Sequence, residues 1–163
     1  MQITIKRIDG SYAQKTAEIE AICFPAAEAA GLDAFTERFT SPAYRCYGAF
    51  DEHGTMIGFV NGALYSKPDL PDELYHNVAK LDPDGAWQTI FGLDVLPAYR
   101  RQGIATLLMR HIIEESRRQN KKGLVLTCKD YLRPLYEGVG FVWQGVSAST
   151  HGNAAWNDML LEF

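Results

Sequence analysis

From Leu93 to Arg110 the chain reads LDVLPAYRRQGIATLLMR, and no other stretch restricts the fold so tightly. It opens as an extended run, turns through a basic, glycine-containing segment and continues as an amphipathic helix. Ile104, Leu107, Leu108, His111 and Ile112 stand at i, i+3, i+4, i+7 and i+8, one face of a helix packed on a core. His111 within that stripe is read as a packing or boundary residue. The turn between them spans Arg100, Arg101, Gln102, Gly103, Ile104, Ala105 and Thr106. Its small residues let backbone amides approach an anion, and the helix behind presents the positive end of its dipole. The expected ligand is a pyrophosphate.

The formal net charge is −4, so nothing draws nucleic acid or an anionic membrane to the chain as a whole. An anion site must therefore be local, and Arg100, Arg101 and Arg110 supply the positive potential. At 163 residues, 47% hydrophobic and 22% charged, the sequence predicts a single globular domain over 1–163. The cysteines, Cys23, Cys46 and Cys128, have no metal-ligand spacing and read as small buried hydrophobes. With no signal segment or long apolar run, a cytoplasmic location is expected.

Taken in order, Gln2–Arg7 alternates as a half-buried strand. Ser11 and Gln14 have capping-box spacing ahead of a helix with an Ala17, Ala21, Ile22 stripe that stops before Pro25. A second helix is predicted over Ala26–Thr40, then two strands, Arg45–Phe50 and Met56–Leu64, joined as a hairpin at Asp51–Gly54. Ser66–Gly85, with Pro68, Pro71, Pro83 and many acids, is a long excursion suited to capping a site. Ala86–Val95 returns as one strand. The helix after the turn is stopped by Gly123, and Leu124–Cys128 completes a parallel strand–helix–strand crossover. A short helix from Tyr131 accommodates Pro134 in its first turn. Phe141–Ser149 and Ala154–Leu161 then form a closing hairpin.

Three features combine into chemistry. The first is the amide cradle. The second is the strand entering it, whose backbone at Leu93 and Val95 can bind an extended ligand. The third is Tyr136, on the helix after the next strand, whose phenol can reach a ligand held between diverging parallel strands.

These residues carry a resemblance. Val95-x-Pro97-x-Tyr99-Arg100-Arg101-x-Gly103-Ile104-Ala105 resembles the acyl-CoA signature R/Q-x-x-G-x-G/A of the GNAT N-acetyltransferases, and Leu135-Tyr136-Glu137-x-x-Gly140-Phe141 resembles their second signature. Cys128 to Glu137 is further similar to the arylalkylamine N-acetyltransferase group. The resemblance implies an α/β fold, a mixed and mostly antiparallel sheet with splayed parallel strands flanked by helices. It implies acetyl-CoA as co-substrate and a small-molecule primary amine as acceptor, with a homodimer open as an assembly. Tyr136 matches the general acid that protonates the leaving thiolate. The amides of Arg101 to Thr106 would carry the pyrophosphate, with Arg100 or Arg101 adding charge-assisted contacts.

Departures matter as much. The arylalkylamine enzymes carry two histidines on the strand before the cradle, and Thr89 and Phe91 stand there instead. An alkylammonium, with a pKa of about 10, must still lose a proton before it attacks. Asp94 and His151 are the candidate bases, with Glu28 and His76 beside them, and no spacing selects one. Lys129 occupies the place where many relatives carry an asparagine that supports the coenzyme. Trp87, Phe91, Trp143 and Trp156 are candidates to line an aromatic amine pocket. No metal is expected. The reading from a different class is a catalytically weak acyl-CoA-binding sensor.

Overall fold

The computed structural model describes residues 2–163. Strand β1 (Thr4–Arg7) pairs antiparallel with β2 (Tyr44–Phe50), and β2 with β3 (Met56–Tyr65). The β2–β3 turn is closed by the Asp51 carboxylate, which accepts the amides of His53 and Thr55, and by Gly54 at φ 79°. Ala49 pairs with Gly58 and Phe50 with Met56, so Ile57 is left without a partner. This bulge exchanges the two faces. Met56 and Phe59 join one core with Phe35 and Ile19, while Ile57 and Val60 join another with Ile104, Leu108 and Ile112.

Helices cover both faces. α1 (Ala13–Cys23) and α2 (Leu32–Phe39) pack on each other and on the first core. α3 (Ile104–Arg118) packs on the second core. Each fully buried aliphatic side chain there contributes about 1.5–3 kcal/mol. The expected stripes are rotated. On α1 the buried residues are Ala13, Thr16, Ile19 and Glu20, and Ile22 is 60% exposed. On α3, Met109 and Ile113 are buried and Leu107 is exposed. His111 is a boundary residue, its ring edge-on to Tyr47 at 4.9 Å. The capping box does not form: Asp9 caps a 3-10 turn by accepting the Ser11 amide, and the Gln14 side chain donates to Glu18. The second helix starts only at Leu32, because Pro25 to Gly31 forms turns.

The predicted strand Ala86–Val95 is two strands. β4 (Trp87–Ile90) runs parallel to β6 (Gly123–Cys128), which completes the crossover through α3. After a break at Phe91, β5 (Gly92–Val95) pairs only with β3. At the break Gly62 lies under Thr89, where a Cβ would collide with the Thr89 carbonyl. Gly123 begins β6; the helix has already ended at Arg118. α4 (Arg133–Glu137) carries Pro134 in its first turn and ends at Gly138.

The closing hairpin is shorter than expected, β7 (Val142–Val146) and β8 (Asn157–Glu162). β8 sits between β6 and β7, giving the eight-stranded order β1-β2-β3-β4-β6-β8-β7 with β5 off that path. The excursion 66–85 forms two 3-10 turns, Asp72–Tyr75 and Val78–Lys80, pinned by buried Leu70, Leu74 and Leu81. Asp72 accepts the Ser149 hydroxyl at 2.5 Å and the Thr150 amide at 3.1 Å, which ties this loop to the one before β8.

Candidate active site

The departure of β5 from β6 opens the sheet, and a cavity lies toward each end of β5. Leu96 donates its amide to the Ile57 carbonyl at 2.9 Å. Alternation along an antiparallel pair then turns the Asp94 amide to β3 and those of Leu93 and Val95 to the open side. On that side the Val95 carbonyl accepts from Arg100 Nε at 3.0 Å. Arg100 therefore braces the turn. Arg101 at φ 62° and Gly103 at φ 81° bend the chain into α3, and nothing lies within 4 Å of a Cβ at Gly103. A crevice of about 260 Å³ results, lined by Val95, Arg100, Arg101, Gly103, Ile104, Ala105, Thr106 and Leu135. Gln102 is exposed beside it. The open amides at the start of a 15-residue helix suit a pyrophosphate.

The second cavity, about 210 Å³, lies at the other end of β5 and is walled by Phe24, Tyr75, Phe91, Trp156 and Tyr136. Tyr136 is 6% exposed, and burial raises its phenol above the ordinary range, which keeps it protonated. Tyr75 stacks on the His151 ring at 5.0 Å, and its own hydroxyl is pushed up to about 12, mainly by burial. Phe91 lies between Tyr75 and the Arg38 guanidinium, 4.7 Å from the latter. Arg38 is buried and donates to Asn61 Oδ1 at 3.4 Å and to the Tyr75 carbonyl at 3.1 Å.

The candidate bases are distributed around this cavity. His151 lines it, with Nε2 3.0 Å from the Glu28 carbonyl. Because a carbonyl only accepts, Nε2 carries the hydrogen and Nδ1 is the acceptor of the neutral ring. His76 lines the cavity 6.0 Å from His151. Glu28 is held by Lys129, whose ammonium lies 2.9 Å from each carboxylate oxygen. Lys129 thus joins the cavity wall through that pair and lies outside the crevice lining. Asp94 is wholly buried just beneath the cavity, its carboxyl held well above the usual carboxylate range by burial and then by Glu20.

Of the proposed aromatic lining, Phe91 and Trp156 are in the cavity. Trp87 packs against Gly123 and Trp143 lies under Arg133, both outside the lining. Thr89 is buried and its hydroxyl bridges the Ala63 amide and carbonyl. Glu20, Arg38 and Tyr75 escaped sequence reasoning. An acid at i+4 from Thr16 on a helix face was the available signal for Glu20. Among the described residues no cluster of His, Cys, Asp or Glu suits a metal ion, and no helix is long and apolar enough to cross a membrane.

Serotonin N-acetyltransferase of Mesocricetus auratus is 28% identical over 109 residues, covering 66% of this chain and 51% of the relative. The chain thus spans about half the length of the curated relatives it matches. The structure of a GphF GNAT-like decarboxylase in complex with isobutyryl-CoA superposes with a TM-score of 0.78 at 19% identity, covering 98% of both chains. Arabidopsis thaliana NAA60 in complex with acetyl-CoA superposes at 0.74 and 19% identity, covering 99% of this chain and 98% of that one. These likenesses establish the α/β fold with its mixed sheet. The profile of the acetyltransferase (GNAT) family matches residues 13–141, and with well over half of its length matched the chain belongs to that family.

Proposed function

We propose that the chain transfers an acetyl group from acetyl-CoA to the primary amine of a small molecule by direct attack. The observation that carries this reading is β5 itself: Leu93 lines the aromatic cavity and Val95 the crevice, so one open strand edge connects a donor seat to an acceptor seat. The amides of Arg101 to Thr106 hold the pyrophosphate, Arg100 braces the turn, and the Leu93 amide polarises the thioester carbonyl. Tyr136 protonates the departing thiolate. The curated relatives act on serotonin by name, which supports a small-molecule acceptor.

Release of free thiol from acetyl-CoA, measured with arylalkylamines, polyamines and peptide N-termini, tests the reading. Amine-dependent thiol release is expected. Tight binding of acetyl-CoA with no turnover across the panel would instead support an acyl-CoA sensor, the reading favoured by Thr89 and Phe91 in place of basic residues.

A further inference from the structure

Behind the lining of the aromatic cavity lie buried carboxylate oxygens without donors. Glu20 Oε1 and both Asp94 oxygens have no hydrogen-bond partner among the described residues, although Glu20 is 7% exposed and Asp94 0%. Glu20 Oε2 accepts the Ala30 amide at 2.9 Å, which fixes the carboxyl and leaves Oε1 over. Both side chains converge on Gly92, where a Cβ would stand 3.2 Å from Asp94 Oδ1, 3.5 Å from Asn61 Nδ2 and 3.6 Å from Glu20 Oε1. Glu20 and Gly92 line the cavity, and Oε1 lies buried directly behind that lining, where glycine leaves no side chain over it. Burial and then Glu20 hold the Asp94 carboxyl well above the usual carboxylate range, which makes Asp94 the protonated neighbour, and the Arg38 guanidinium stands near the pair.

We infer that Glu20, backed by Asp94, seats the ammonium of the acceptor and takes its proton, and that the acceptor carries one amine on an aromatic or apolar body. This rests on the acetyl-transfer reading above. The other carboxylate of the wall, Glu28, is already neutralised by Lys129. One unpaired acid and flat walls of Phe24, Phe91 and Trp156 suit a monoamine and disfavour a polyamine.

In the step, an N–H bond of the ammonium breaks and the proton goes to Glu20, leaving a neutral amine. Its lone pair forms the C–N bond, the C–S bond breaks, and the thiolate receives the Tyr136 proton. The phenolate then takes the surplus proton from the new amide nitrogen. Glu20 returns its proton to solvent with product release, so one proton leaves per acetyl transferred. Asp94 is a positioning residue that backs the Glu20 carboxyl at Gly92. The groups facing the pair are Arg38 from α2, Cys23 from α1, Tyr44 and Cys46 from β2, Tyr75 from the excursion and Tyr136 from α4.

Calorimetric titration of the full chain, saturated with coenzyme A, compares phenethylamine, its neutral analogue 2-phenylethanol, and spermidine. Phenethylamine is expected to bind at least about tenfold more tightly than either. Glu20→Gln should abolish the preference over the alcohol and leave coenzyme affinity unchanged. It should also lower kcat/KM for the amine by about a hundredfold. Its pH profile should rise toward the amine's own pKa of about 10. Equal wild-type affinity for amine and alcohol overturns the inference, and so does a Glu20→Gln protein with unchanged amine KM and pH profile. Where that variant melts early, the wild-type comparison alone decides. Ammonium binding that depends on Glu20 in a protein that acetylates no amine would sink the acetyl-transfer reading and leave this site standing.

Discussion

Leu135 and Tyr136 are consecutive on α4 yet border different cavities, Leu135 the crevice at the start of α3 and Tyr136 the aromatic one. The helix is therefore the wall between the crevice and the aromatic cavity, the proposed donor and acceptor seats. In the proposed reaction, a phenol on that wall serves as the proton donor to the departing thiolate.

Tyr136→Phe removes the proton donor while keeping the ring that packs edge-on to Phe141. Turnover is expected to fall by about a hundredfold, with acetyl-CoA affinity by calorimetry unaltered. A variant with wild-type kcat would take the proton-donor role away from Tyr136.

Gly103→Glu introduces a side chain at φ 81° and a negative charge where the pyrophosphate is expected. The left-handed backbone costs about 1–2 kcal/mol of stability for a residue with a Cβ. Acetyl-CoA affinity should drop by about tenfold or more, and the fall should exceed that of Gly103→Ala, which carries the strain without the charge. Equal affinities for the two variants would move the anion elsewhere.

Asp94 makes stability depend on pH. Its folded carboxyl is raised, chiefly by burial, so the folded chain binds more protons there than the unfolded one. That contribution is complete below the unfolded carboxyl's pKa of about 4 and is lost as pH rises through the elevated folded value. Asp94→Asn should flatten the fall in Tm between acid and neutral pH. Parallel Tm curves for the two proteins would mean that Asp94 is ionised in the fold.

Lys129→Met leaves Glu28, whose side chain is 7% exposed, without its counter-ion. A loss of about 3 kcal/mol in chemical denaturation is expected, most of it restored by adding Glu28→Gln. Additive single-variant losses would show the pair to be independent.

Much of this was legible in the chain. The cradle is a local pattern, since Gly103 and the residues after it write strand, turn and helix in one contiguous stretch. Tyr136 follows from its place after Pro134 on the next helix. Glu20 was harder to see because the α1 stripe is set by what α2 and the sheet present to it, and burial of an acid runs against its polarity. Lys129 and Glu28 meet across 101 positions, and a contact of that kind leaves no periodicity to read. The break at Phe91 was hidden because both halves of the run have strand composition; only the crowding of Gly62 against Thr89 reveals that β3 cannot accompany a single partner along its whole length.

That crossing at Gly62 separates what can be redesigned from what cannot. The proposed donor edge is dictated by main-chain geometry inside the sheet, whereas Tyr75, His76, His151 and Trp156 come from the linked loops, Trp156 just before β8. Exchanging loop side chains should retune acceptor choice and leave the donor seat untouched, so this scaffold is suited to directed changes of specificity at constant chemistry.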